Sequence, residues 1–166
     1  GFQSFAFHPQ FASRGAPGFG KLFTYVDSTN TTPPADFVPG GGEDAQDTLL
    51  LEWTASDPMA TRYDGGAPRE VLRVEQPFRN HNGGQIGFNP LAEPGDEEFG
   101  LLYIGSADGG SGGDPLNLSQ DLSKVFGKIL RIDPFGSDSE NGEYGIPGDN
   151  AFSADGNADT LGEIYA

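Results

Sequence analysis

One histidine and one aspartate stand where this chain could move a proton. Asn80-His81-Asn82-Gly83-Gly84-Gln85-Ile86 sets an imidazole among small and polar residues, ahead of a short apolar run. Further on, the apolar run Leu101-Leu102-Tyr103-Ile104-Gly105 leads into Ser106-Ala107-Asp108-Gly109-Gly110. Pairing the two runs as neighbouring strands brings His81 and Asp108 to the same end of both. A neutral imidazole near pH 7 accepts a proton from a hydroxyl. A carboxylate on its other nitrogen fixes the tautomer and stabilises the imidazolium that forms. The competing reading is a turn histidine and a loop-capping aspartate. Spacing by itself does not separate the two.

The elements that must position this pair read as strands throughout. Apolar runs bounded by turn residues predict strands near 3–8, 20–26, 47–54, 69–75, 84–89, 100–105 and 127–132, with a closing one over 162–166. The order repeats. Phe5-Ala6-Phe7-His8-Pro9 matches Ile86-Gly87-Phe88-Asn89-Pro90 in type. Gly20-Lys21-Leu22-Phe23-Thr24-Tyr25 likewise matches Gly100-Leu101-Leu102-Tyr103-Ile104-Gly105. Four strands per unit, repeated, predict all-β propeller blades: two four-stranded antiparallel sheets, residues 1–79 forming the first blade and 80–166 the second. Long loops, Asp27 to Gln46 and Ser106 to Lys124, are where function is expected on such a scaffold. A propeller closes with roughly four to eight blades. Two blades therefore predict a fragment of a larger propeller, or a unit completed by other copies or other chains.

Composition bounds the function. With 26 glycines and 13 prolines in 166 residues, the chain is cut into short segments, which suits an all-β fold. An aromatic share of 11% argues against disorder. The net charge of −16 opposes binding to nucleic acid and to anionic membranes. Cysteine is absent, so no disulfide framework is expected. No apolar run approaches the roughly 20 residues that span a bilayer.

Four ordered motifs carry a resemblance: Asn80 to Phe88; Leu102 to Gly110; Gly127-Lys128-Ile129-Leu130-Arg131-Ile132-Asp133; and Tyr144-Gly145-Ile146-Pro147-Gly148-Asp149-Asn150-Ala151-Phe152. With the opening Phe5-Ala6-Phe7-His8-Pro9-Gln10-Phe11-Ala12, the chain resembles the soluble pyrroloquinoline quinone (PQQ)-dependent sugar dehydrogenases over nearly its whole length. The resemblance implies a six-bladed propeller that oxidises aldoses by hydride transfer to PQQ. It implies His81 as the catalytic base and Asp108 as its partner, with Ala107 where the family usually has glycine. It also implies PQQ and Ca2+ as cofactors, an aldose substrate, an unspecified electron acceptor and a periplasmic or secreted location. The family's arginine- and asparagine-bearing cofactor segment has no match within this sequence, so a fragment alone is expected to be inactive. Two alternatives stand beside the enzyme: a non-enzymatic propeller binding module, and a self-assembling structural subunit whose open blade edges pair between copies.

Other motifs carry less. His8 ends an apolar strand and reads as structural. Asp155-Gly156-Asn157-Ala158-Asp159 begins like a calcium loop, but Thr160 stands where that loop needs glycine, and no metal ligands are assigned. The acidic stretch from Asp133 to Glu163 reads as a solvated loop. Asn30-Thr31-Thr32 and Asn117-Leu118-Ser119 match glycosylation acceptors. Gly109 to Gly113 lacks the lysine and helix of a phosphate loop.

Overall fold

The computed structural model describes residues 1–43 and 46–166. Asp44 and Ala45, in the long loop expected after Asp27, lie outside the described residues. Seven strands form: β1 (Phe2–Phe7), β2 (Lys21–Ser28), β3 (Gln46–Thr54), β4 (Arg69–Gln76), β5 (Ile86–Phe88), β6 (Leu102–Gly105) and β7 (Ile129–Ile132). There is no helix among the described residues. The fold is all-β.

Two antiparallel sheets follow the sequence order without a crossover, β1-β2-β3-β4 and β5-β6-β7. This is the meander that short turns between sequential strands favour. In the first sheet Tyr25 pairs with Leu50, and Leu50 with Leu72. In the second, Ile86 pairs with Ile104, and Ile104 with Leu130. These six side chains are buried and belong to one cluster with Phe23, Val74, Phe126 and Tyr144. The two sheets therefore share a single core. Each inward aliphatic contributes about 1.5–3 kcal/mol by leaving water. The inner strands also touch: the Ile86 amide donates to Ser4 Oγ at 3.2 Å, joining β5 to β1.

The second sheet corrects the expectation of four strands. Glu163 to Ala166 reaches β7, but as a single antiparallel bridge, Leu130 with Ile164. The Tyr165 and Ala166 amides both donate to the Ile129 carbonyl, at 2.8 and 3.2 Å. Two residues opposing one is an irregular, bulge-like pairing, and it cuts the ladder short. The first sheet's outer edge is covered differently. The loop after β2 runs beside β4, with Phe37 bridging Val74 in parallel and the Glu75 amide donating to the Phe37 carbonyl at 2.9 Å. That strap occupies hydrogen-bonding groups an open edge would expose.

Candidate active site

His81 and Asp108 come together. His81 Nδ1 lies 3.1 Å from Asp108 Oδ1. A carboxylate can only accept, so in the neutral ring this bond places the proton on Nδ1 and leaves the Nε2 lone pair free. Asp108 Oδ1 also accepts from the Gly110 amide at 3.0 Å. The pair stands at the sheet's rim: the imidazole is 53% exposed and the carboxylate 27%. A substrate hydroxyl can therefore reach the ring.

The histidine's backbone is held in an uncommon conformation. Its φ of 53° lies in the left-handed region. A non-glycine residue there costs of order 1–3 kcal/mol and persists where its surroundings dictate it. Those surroundings are specific. The His81 carbonyl accepts from the Gly109 amide at 3.0 Å. On one side, Asn80 Oδ1 accepts from the Ser111 amide at 3.0 Å. On the other, Asn82 is buried and donates to Gln76 Oε1 at 2.8 Å and to the Phe78 carbonyl at 3.0 Å. Gln46 Nε2 donates to Asn82 Oδ1 at 2.9 Å. The two loops are thus sewn together around the dyad, Asn80 and Asn82 acting as anchors on either side of the imidazole.

Glycine is required where the loops cross. A Cβ on Gly110, at φ +107°, would lie 2.3 Å from the Asn80 carbonyl oxygen. One on Gly83, at φ +96°, would lie 2.4 Å from the Gly105 carbonyl oxygen. Ala107, by contrast, is outside the left-handed region, so its methyl adds no backbone strain to the turn. Its carbonyl accepts from the Gly127 amide at 2.8 Å, and the Ser106 amide donates to the Lys128 carbonyl at 2.9 Å. These two bonds close the stem of the loop that carries Asp108.

Sequence reading alone missed Asn80, Asn82, Ser111 and Gln76 as positioning partners. The asparagines flanking His81 were the available signal, since such side chains bind nearby backbone and fix turns.

The second histidine has a different fate. His8 is buried against the rings of Phe88, Phe99 and Phe135, and its Nδ1 accepts from the Gln10 amide at 3.1 Å. Burial lowers its pKa below the usual 6.5, against the opposing charges of Asp133 and Glu52. The calcium-like segment uses its own carboxylate: Asp155 Oδ1 accepts from the Asn157 amide and Oδ2 from Thr160 Oγ1, both at 2.8 Å. Among the described residues no group of three or more histidine, aspartate or glutamate side chains is arranged to hold a metal.

The basic side chains bear on whether these residues fit PQQ, whose carboxylates need cationic partners. Lys21 and Arg69 pair with Glu52, and Arg73 with Asp47 and Glu70. Arg131 Nε donates to Asn150 Oδ1 at 2.7 Å. Lys124 Nζ donates to the Val38 carbonyl at 3.0 Å. The residues present fit the proton-handling half of a quinoprotein site. Arg79, exposed and two residues before His81, forms no ion pair among the described residues and is the basic group nearest the imidazole in sequence.

The HIPL1 protein of Arabidopsis thaliana is 32% identical over 183 residues, covering 93% of this chain and 25% of that protein. The Hedgehog-interacting protein of Mus musculus is 32% identical over 152 residues, covering 90% of this chain and 19% of that one. The chain thus spans about a quarter or less of the curated relatives it matches. No family model matches. A Thermus thermophilus oxidoreductase described as a glucose dehydrogenase superposes with a TM-score of 0.61 at 23% identity, over 99% of this chain and 36% of the other. The PQQ-bound aldose sugar dehydrogenase of Streptomyces coelicolor superposes with a TM-score of 0.50 at 23% identity, over 87% and 35%. The fold is that of β-propeller sheets. In fold the chain is similar to both of these dehydrogenases.

Proposed function

We propose that this chain supplies the general-base half of a PQQ-dependent aldose dehydrogenase, residues 1–79 and 80–166 each forming one blade. The observation that carries the reading is the 3.1 Å contact between His81 Nδ1 and Asp108 Oδ1 at an exposed rim. In this reading an aldose hydroxyl donates its proton to His81 Nε2 as the C–H bond at the same carbon gives up a hydride. Asp108 holds the Nδ1 proton in place and stabilises the imidazolium. PQQ, when bound, supplies the hydride-accepting carbonyl. Calcium, a periplasmic or secreted location and association with further copies belong to the same proposal.

A second reading is a partner-binding propeller without redox chemistry. The 32% identity to the Hedgehog-interacting protein favours it. The discriminating experiment assays a propeller carrying these two sheets with PQQ, Ca2+, an artificial electron acceptor and a panel of aldoses. Dye reduction that depends on both PQQ and sugar supports the enzyme. Inactivity across the panel, with PQQ demonstrably absent from the protein, supports the binding module.

A further inference from the structure

Lys128 sits in a cage that the dyad's own loop builds. Its side chain is buried, and its Nζ donates to three backbone carbonyls: Leu118 at 3.2 Å, Ser119 at 3.1 Å and Phe126 at 2.7 Å. An ammonium has three N–H donors and a neutral amine two, so three acceptors call for the charged form. Among the described residues no carboxylate forms an ion pair with it. Burial pulls its pKa below the usual lysine value, and Asp121 and Asp114 oppose this from a distance. Buried backbone carbonyls that share one cation form the kind of oxygen shell that a free monovalent cation or ammonium ion takes.

The cage is prefabricated by the loop itself. Asp114 Oδ1 accepts from the Leu118 amide and Oδ2 from the Ser119 amide, both at 2.9 Å. This turns the carbonyls of the same two residues toward the lysine. Gly127, at φ +67°, lies so close that a Cβ there would meet the Ser119 Cβ at 2.6 Å. Leu118, Val125 and Phe126 are driven into the core beneath. The loop that closes around Nζ is the one that begins at Ser106 and carries Asp108, and its stem is sealed by the two backbone bonds beside Lys128.

We propose that Lys128 is a positioning residue for the dyad: its ammonium is a tethered cation that closes the 106–127 loop and so holds Asp108 against His81. The inference rests on the reading of His81 and Asp108 as a functional pair. It does not depend on PQQ or on sugar oxidation. Removing the amine takes the donor from the Ser119 and Phe126 carbonyls, while the Leu118 carbonyl keeps the Asp121 amide at 3.1 Å, and opening the loop relieves the cost at the buried Phe126 carbonyl.

The test uses the 166-residue chain and nuclear magnetic resonance, which need no cofactor. Lys128→Met and Lys128→Ala are compared with the parent through the His81 ring nitrogen shifts and the exchange of the Gly109 and Gly110 amides. These amides donate to the His81 carbonyl and to Asp108. The expected result is exchange faster by about tenfold or more at both amides. The single Nδ1–H tautomer of His81 should be lost, while the amides of β2 and β3 stay protected. Ethylammonium chloride should restore both signals to Lys128→Ala. Tetramethylammonium, which has no N–H, should not. Unchanged His81 shifts and amide exchange in Lys128→Met overturn the proposal. Global unfolding of both variants without rescue by ethylammonium also overturns it, because Lys128 then supports the whole fold and not this loop. If the Lys128 variants show this NMR signature and a propeller carrying these two sheets does not oxidise any aldose with PQQ, the enzyme reading alone fails.

Discussion

His81 owes its chemistry to three neighbours more than to its own type. Asp108 dictates which ring nitrogen holds the proton. Asn80 and Asn82 dictate where the ring stands, through Ser111 on one side and Gln76 on the other. Replacing Asp108 with Asn should therefore leave the fold intact and change the ring's tautomer, since the amide can present either a donor or an acceptor to Nδ1. The His81 ring nitrogen shifts report this directly: the parent should show the Nδ1–H form, and Asp108→Asn a mixture. An identical spectrum in the two would mean that the contact does not govern the ring. His8 offers a residue-scale prediction of opposite character. Its folded-state pKa lies below 6.5, so the unfolded chain binds the proton first. The stability it lends is full above the unfolded value and falls as pH drops toward the folded one. Urea midpoints should fall between about pH 7.5 and about pH 5, and His8→Phe should flatten that fall. A slope unchanged by the substitution would assign it to the carboxylates.

At the scale of elements, the strands were legible in the sequence and the fastenings were not. β1 to β7 each coincide with an apolar run closed by turn residues, and the Phe5/Ile86 repeat places the inner strand of each sheet. The tail was legible as an apolar segment, but its pairing with β7 was not, because the doubled donation to Ile129 is a local irregularity. In the sequence Lys128 stands only as one residue of the strand expected over 127–132. Its cage is assembled from residues up to ten positions away, and periodicity carries no trace of it. The loop crossing was similarly hidden, since Gly110 looks like any glycine in a rich stretch. There the structure makes a sharp prediction: Gly110→Ala should destabilise by more than about 1 kcal/mol, read as a urea midpoint shift. The Cβ meets backbone and cannot be rotated away. Gly112→Ala, two residues on, meets nothing and should be nearly neutral. Equal effects at both positions would rule out the crossing as the cause. In the core, Leu50→Ala should cost about 2–5 kcal/mol, because Leu50 is fully buried at the centre of the first sheet.

At the scale of the whole molecule, two sheets share one core and turn their other faces to solvent. On the first sheet's side, Phe2, Phe5 and Phe7 are 65%, 52% and 50% exposed, their rings in a row that Phe11 continues. On the second sheet's side, Ile129 and Tyr165 are 45% and 39% exposed. Exposed apolar rows of this kind favour association with other apolar surface. The charge of −16 opposes close approach of like chains, and salt screens that repulsion. The chain should therefore associate more strongly as salt is raised. Sedimentation velocity at low and high ionic strength measures this, and a monomer at every salt concentration would argue that the aromatic row is tolerated by water.

His81 is the proposed base. The most direct measurement is the rate of PQQ reduction by an aldose in a propeller carrying these sheets, comparing the parent with His81→Gln at equal PQQ occupancy. Glutamine keeps a polar side chain of similar reach but cannot take up the proton. The account predicts a loss of roughly 10²- to 10⁴-fold in the reduction step, with cofactor and sugar still bound. A His81→Gln protein that reduces PQQ at the parent's rate would contradict it.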